Sequence, residues 1–289
     1  MGTEDDKQMK KKILVTGAGG YIGRHVVSSL LDMGADVVAV DLYTDGIDSR
    51  ATVLQEDIFA AHEGIFQRLG SPEACIHLAW RDGFVHQSDA HMMCLSDHVR
   101  FIRQITTEGL KQLAIMGTMH EIGYWEGPID ENTPCNPQSL YGIAKDALRR
   151  AVFAMFKGTD VKVQWLRAYY IFGDDSRSVS IFGKLLAAAE RGDKFFPFTT
   201  GKNKYDFISV EELGKLLALC VMQNEVTGII NCCTGKPVSL AEEVEWYIKS
   251  RELNIQLQYG AFSDRPYDSP GVWGDVTQLN RVLKVYGHE

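Results

Sequence analysis

The sequence predicts an α/β fold: a doubly wound parallel sheet with a smaller, partly interrupted C-terminal lobe. Three observations predict it. Short apolar runs alternate with segments of helical spacing, the β-α-β-α order that builds parallel sheets with right-handed crossovers. The first run ends in a glycine-rich turn that opens directly into a helix. The 289 residues are 45% hydrophobic and 24% charged, ordinary globular values that exclude a disordered chain and supply a core.

The elements follow in order. Residues 12–16 (KILVT) read as a buried strand. Residues 21–33 place Ile22, Val26, Val27, Leu30 and Leu31 at helical spacing, and Gly34 stops the helix as a C-cap. A second strand at 36–40 (DVVAV) ends at Asp41, and 52–55 forms a third. A helix over 58–69 leads to a strand at 74–79 (ACIHLA). Long helices at 88–109 and 138–157 flank a strand at 113–116, and 161–168 (VKVQWLRA) follows as another. Helices at 179–191, 209–223 and 239–251 and a strand at 228–233 complete the pattern. Residues 259–274 read as an ordered loop, because Pro266 and Pro270 exclude a regular helix. The sheet-bearing domain is assigned to 9–173 and 203–234, and the smaller lobe to 174–202 and 235–289. Residues 1–8 read as a disordered leader, and Lys10-Lys11-Lys12 as a run that solubilises the approach to the first strand.

Charge and composition exclude several function classes. With 30 basic against 38 acidic residues the net charge is −8, so a nucleic-acid partner, which needs a basic footprint, is not expected. No stretch approaches ~18 apolar residues, and the N-terminus has no secretory core, so no membrane association is expected. Cysteines at 75, 94, 135, 220, 232 and 233 form no CxxC pair and read as reduced residues of a cytoplasmic protein.

Chemistry enters at Thr16-Gly17-Ala18-Gly19-Gly20-Tyr21-Ile22-Gly23. Gly17 permits a tight turn, Gly20 lets a pyrophosphate approach the backbone, and Gly23 packs the helix on the sheet. The helix N-terminus then presents free N–H groups to phosphate. Strand, glycines, helix and the acid closing strand two make a Rossmann dinucleotide site. Asp41 would accept hydrogen bonds from an adenosine ribose and repel a 2′-phosphate, which favours NAD; Arg24 is the feature that would instead suit NADP. Tyr141 and Lys145, in Tyr141-Gly142-Ile143-Ala144-Lys145, are i and i+4 on one helix face. A nearby ammonium lowers a tyrosine pKa from its usual ~10, making the phenol a usable acid–base group. His120-Glu121 does not begin a metal-binding HExxH, because residue 124 is Tyr124. His120 remains a candidate substrate contact. His91 and His98, seven apart, read as packing residues. Arg81, after strand four, stands at the edge where α/β sheets bind ligands, and Tyr124-Trp125 would wall a small-molecule site.

Taken together, GAGGYIG, Asp41, His77-Leu78-Ala79-Trp80, Thr118 and YGIAK resemble the extended short-chain dehydrogenase/reductase superfamily. The nearer likeness is to the NAD-dependent epimerase/dehydratase family acting on nucleotide sugars, over ~12 to ~285. Further resemblance lies in Leu166-Arg167, Ile171-Phe172-Gly173, Tyr205 to Val210, Asn231 and Thr234 to Val238. The resemblance implies that Thr118, Tyr141 and Lys145 are catalytic. It implies cofactor contacts at Gly17, Gly20, Tyr21, Ile22, Gly23, Asp41, Asp57, Ile58, Leu78, Ala79, Trp80, Tyr141 and Lys145. It places the diphosphate of the sugar nucleotide on Arg265, whose guanidinium suits bidentate phosphate binding, and it puts Tyr170, a candidate substrate contact like His120, where many members carry an asparagine facing the sugar nucleotide. The 4,6-dehydratase branch carries Asp-Glu after the threonine, where this chain has Met119-His120, and this disfavours dehydration. The expected partner is a nucleotide-diphosphate sugar, and the expected reaction is reduction of a 4-keto-6-deoxy sugar. A 4-epimerase is the alternative, and a non-catalytic cofactor sensor a further one. Helices 88–109 and 138–157 imply a homodimer.

Overall fold

The computed structural model describes residues 10–60, 63–173, 180–263 and 269–287. In chain order the elements are β1 (Lys12–Thr16), α1 (Gly23–Asp32), β2 (Asp36–Asp41), β3 (Thr52–Gln55), α2 (Ile65–Arg68), β4 (Ala74–His77), α3 (Ala90–Met93), α4 (Leu95–Thr107) and β5 (Gln112–Thr118). They continue with β6 (Gly127–Ile129), α5 (Leu140–Phe156), β7 (Lys162–Ala168), β8 (Tyr170–Phe172), α6 (Ile181–Glu190), β9 (Phe195–Pro197), β10 (Lys204–Ser209) and α7 (Val210–Met222). The last are β11 (Gly228–Cys232), β12 (Pro237–Ser239), α8 (Leu240–Ser250), β13 (Gln256–Gln258), β14 (Gly271–Gly274) and α9 (Thr277–Val285).

The predicted parallel sheet is present. Seven strands run in the order β11-β7-β5-β4-β1-β2-β3, and all six pairings are parallel. The order reverses between β1 and β4, the switch point at which such sheets bind ligands beyond their carboxyl ends. One face is covered by α1, α7 and α9 through Val26, Leu30, Leu213, Leu217 and Val282. The other is covered by α4 and α5 through Phe101, Ile102, Ile105, Leu148 and Val152. A sheet buried on both faces explains why its strands read as unbroken apolar runs.

The smaller lobe carries a second sheet, β12-β10-β14-β6, with β8 paired to β10. Within the segment 203–234, β10 joins this second sheet, whereas α7 and β11 pack with the large one. The buried Asp206 on β10 ties the lobe together. Its carboxylate accepts from the backbone N–H groups of Thr234 (2.9 Å), Gly235 (2.9 Å) and Gly274 (3.2 Å).

Several expectations are corrected. The helix over 58–69 shrinks to α2, because Gly64 takes φ +73° and Asp57 turns the chain by accepting from Phe59 N (2.9 Å). The helix over 88–109 starts at Ala90, since Ser88 is held in a turn by Val85 O (2.9 Å), and it is interrupted at Cys94, whose ψ is −1°. Residues 259–274 are not all loop: Gly271–Gly274 forms β14, parallel to β10 and β6. Lys11 does not merely solubilise. Its ammonium donates to Gln112 Oε1 (2.7 Å) and to the carbonyls of Val221 (2.9 Å) and Met222 (3.0 Å), capping the C-terminus of α7. All six cysteines are free. Among the described residues no helix is long and apolar enough to cross a membrane.

Candidate active site

The glycine turn is built by close approach. Gly17 has φ +70°, and a Cβ there would meet the Ala79 amide nitrogen at 2.5 Å. A Cβ on Gly23 would meet the Gly17 carbonyl oxygen at 2.1 Å, so α1 can lie against the turn only as glycine. Asp41 organises the same turn. Its Oδ2 accepts from Gly19 N (2.9 Å) and its Oδ1 from Leu42 N (2.7 Å), and a carboxylate can accept further donors. A groove of about 310 Å³ opens beside it, lined by Gly17, Gly20, Asp41, Asp57, Ile58 and Leu78 to Arg81, among others. A shape relieved of side chains at the glycines, with a carboxylate at one end, fits a dinucleotide. Tyr21 lies outside this lining and donates its hydroxyl to Gly173 O (2.5 Å). Ile22 precedes α1 and packs on the core.

A second cleft of about 590 Å³ is lined by residues that include His86, His120, Tyr124, Trp125, Tyr170 and Tyr205. Arg81 lines the first groove and not this one. Arg265 lies outside the described residues.

Tyr141 contacts the linings of both cavities. Its ring meets Trp80 edge to face at 6.1 Å on the first side. On the second side it stacks on His86 at 5.2 Å and meets His120 at 6.1 Å. Local sequence sets this position. Ser139 takes extended dihedrals and its Oγ accepts from Gly142 N (3.1 Å), which starts α5 and puts Tyr141 in the first turn. Gly142 lets α5 approach closely, since a Cβ there would meet His120 O at 2.4 Å. Thr118 ends β5 and caps the short turn Met119–Glu121, its Oγ1 accepting from His120 N (3.3 Å). The Thr118 side chain acts on the Tyr141 phenol and pulls its pKa down.

Lys145 is 2% exposed and donates to Met116 O at 2.8 Å. Burial lowers its pKa to about 7, against a smaller upward pull from Glu121. The phenol does not follow the sequence expectation. Burial pushes Tyr141 well above the usual tyrosine value, and the Thr118 side chain recovers only part of the rise. In this cavity the cost of taking the phenolate out of water sets the direction of the shift.

Sequence reasoning missed His86 and Glu121 as site residues. His86 sits in a loop with no periodicity, so only the tertiary stack reveals it. Glu121 is fully buried and accepts from Thr118 N (2.7 Å) and Trp165 Nε1 (2.9 Å), with Arg149 and Arg167 each at 3.6 Å. It thereby fixes the backbone that carries Thr118. His91 and His98 are buried, yet both touch Trp80 and so support the site from behind.

Comparison with known proteins places the chain. The model of the NAD dependent epimerase/dehydratase family matches residues 13–233. A dTDP-6-deoxy-L-talose 4-dehydrogenase (NAD(+)) from Aggregatibacter actinomycetemcomitans is 42% identical over 91% of this chain and 98% of that protein. A UDP-glucose 4-epimerase from Lactobacillus helveticus is 26% identical over 94% of this chain and 91% of that protein. The fold matches the structure of UDP-N-acetylglucosamine 4-epimerase from Methanobrevibacter ruminantium M1 with a TM-score of 0.82 and 21% identity, covering 95% of this chain and 92% of that one.

Proposed function

This chain belongs to the NAD dependent epimerase/dehydratase family and is an NAD-dependent enzyme, and we propose that it interconverts a hydroxyl and a ketone at C4 of a dTDP-linked 6-deoxy sugar, working as the reductase of the 4-keto form. One observation carries the reading: the Tyr141 ring contacts Trp80 of the glycine-lined groove and His86 and His120 of the second cleft, with Lys145 one helical turn away. The 42% identical relative, named for C4 dehydrogenation of such a sugar, supports the substrate class.

The chain's residues divide the work. Thr118 and Tyr141 donate hydrogen bonds to the C4 oxygen, and Tyr141 hands its proton to that oxygen on reduction or takes it on oxidation. Lys145 in its ammonium form stabilises the phenolate left behind. NAD, when bound, supplies the hydride donor or acceptor. Gly17 to Gly23 hold its pyrophosphate and Asp41 its adenosine ribose. His120, Tyr170 and Tyr205 border the sugar. Donors fixed before reaction stabilise the developing alkoxide without reorganisation.

The test mixes the enzyme and NADH with dTDP-4-keto-6-deoxy sugars and follows NADH fluorescence. Stoichiometric NADH loss supports a reductase. With NAD and a dTDP-linked 4-hydroxy sugar in place of NADH and the ketone, inversion at C4 without net NADH formation identifies a 4-epimerase, the second reading that the Lactobacillus helveticus relative favours. Tyr141→Phe should lower turnover by about 10²–10⁴-fold, the usual contribution of a general acid, while NADH affinity measured by fluorescence stays nearly unchanged. Full activity in that variant would remove the phenol from the reaction.

A homodimer is part of the proposal. Met92 and Met93 are 41% and 77% exposed, and Met92 borders a groove with Leu95, Val99 and Arg103 on the outer side of α3 and α4. A second copy presenting the same face would cover them.

A further inference from the structure

Trp80 sits at the carboxyl edge of the sheet, just after β4. Besides packing on the core, it contacts four residues of the site or its support. Its indole ring stacks on His98 with centroids 4.4 Å apart and planes at 21°. The indole Nε1 donates to His91 Nδ1 at 3.0 Å, and His91 Nε2 lies 2.9 Å from the Val85 carbonyl, so His91 is the neutral Nε2–H tautomer. The ring meets Tyr141 edge to face. The Lys145 Nζ lies 3.7 Å from the indole centroid. The platform is itself anchored, because His98 Nδ1 pairs with His77 Nε2 (2.9 Å) and His77 Nδ1 with Thr16 Oγ1 (2.7 Å).

The environment gives Lys145 little else to hold a charge. Among the described residues its ammonium donates to one backbone carbonyl, that of Met116. The carboxylate that acts on it, Glu121, is committed to Thr118 N, Trp165 and two arginines. The other titratable groups around it are Tyr141 on its own helix, His77 on β4 and His98 on α4. Burial holds both histidines neutral, at about 3 and about 2, so neither donates positive charge at neutral pH. An indole face carries the negative lobe of its quadrupole and attracts a cation most strongly where water is excluded.

We propose that Trp80 is a positioning residue, whose clamped indole face retains the Lys145 ammonium and holds it toward Tyr141. The proposal rests on the reading of Tyr141 and Lys145 as the acid–base pair. It predicts that the ring, and not apolar bulk alone, maintains the charged form. Without the ring, Lys145 loses its proton at lower pH and stabilises the phenolate less, so the rise of the oxidation rate with pH moves to higher pH.

The experiment follows the 13Cε and 15Nζ resonances of Lys145 in cofactor-free enzyme across pH, with assignment by Lys145→Arg. Wild type should titrate with a midpoint of about 7. In Trp80→Leu the midpoint should fall by about one pH unit, the size of a desolvated cation–π contact, and Trp80→Phe should fall between the two. An unchanged or raised midpoint in Trp80→Leu, or a Phe variant indistinguishable from Leu, overturns the proposal. If the Leu variant does not fold, Trp80→Phe decides: a midpoint below wild type supports the platform, and one equal to wild type defeats it. The titration needs neither cofactor nor turnover. Failure of the acid–base reading would show instead as an active Tyr141→Phe enzyme with the Lys145 titration unaffected.

Discussion

Single residues here are tuned chiefly by removal from water. Burial lowers His77, His98 and His120 to about 3, about 2 and about 4. An unfolded chain binds a proton at each below ~6.5, whereas the folded chain stays neutral until far lower pH. The stability these residues contribute is complete above pH ~6.5 and is lost as pH falls toward the folded values, at about 1.4 kcal/mol per pH unit for each imidazole. Urea unfolding at pH 7.5, 6.0 and 5.0 should therefore show steepening destabilisation, and His98→Gln should make the dependence shallower by close to one proton. A dependence identical to wild type would contradict the neutral buried His98. At this scale the sequence was a good guide to identity and a poor one to state. The pairing of Tyr141 with Lys145 follows from helical spacing, but the direction of the phenol's shift does not, because desolvation depends on residues remote in sequence such as Trp80 and His86.

Elements are fixed where one residue satisfies several constraints. Ser139 starts α5, Gly142 lets it approach the Met119–Glu121 turn, and Tyr141 between them has no freedom of register. Lys11 plays the corresponding part at the end of α7, where its ammonium meets the carbonyls of Val221 and Met222 and the amide of Gln112. Lys11→Ala should cost about 1–3 kcal/mol in denaturant unfolding, the range for losing charged hydrogen bonds to buried acceptors, with little effect on NADH binding. A loss below about 0.5 kcal/mol would mean that water replaces the ammonium. Elements of the large sheet were legible because both faces are buried and their strands are continuously apolar. The short strands β6, β8, β12 and β14 were not. Each is three or four residues long, and β14 (Gly271–Gly274) has too few side chains to show alternation. Gly274 is held there by contact: a Cβ would meet Cys233 Sγ at 2.3 Å, just beyond the end of β11 in the other sheet.

The whole molecule places chemistry at a seam. The large sheet delivers Gly17, Asp41, Trp80 and Thr118 to its carboxyl edge, and the second lobe brings Tyr205 and Val272 across from it. Asp206 joins the two by accepting from Thr234, Gly235 and Gly274. On the opposite side of α4 the exposed methionines give the dimer proposal its test. Met92→Lys with Met93→Lys should shift sedimentation from dimer toward monomer without changing the unfolding midpoint of dilute protein. An unchanged sedimentation coefficient would sink that interface.

Local pattern alone specified the parallel sheet, the glycine cradle, the carboxylate at the end of β2 and the i, i+4 tyrosine–lysine face. These features are written in local periodicity and in residue types with one conformational use. Which aromatic supports the lysine and how far burial shifts each proton were set by contacts between distant segments. Trp80 and Lys145 are 65 positions apart and His86 and Tyr141 are 55 apart, and the energies of such contacts depend on the exclusion of water, which no local pattern encodes.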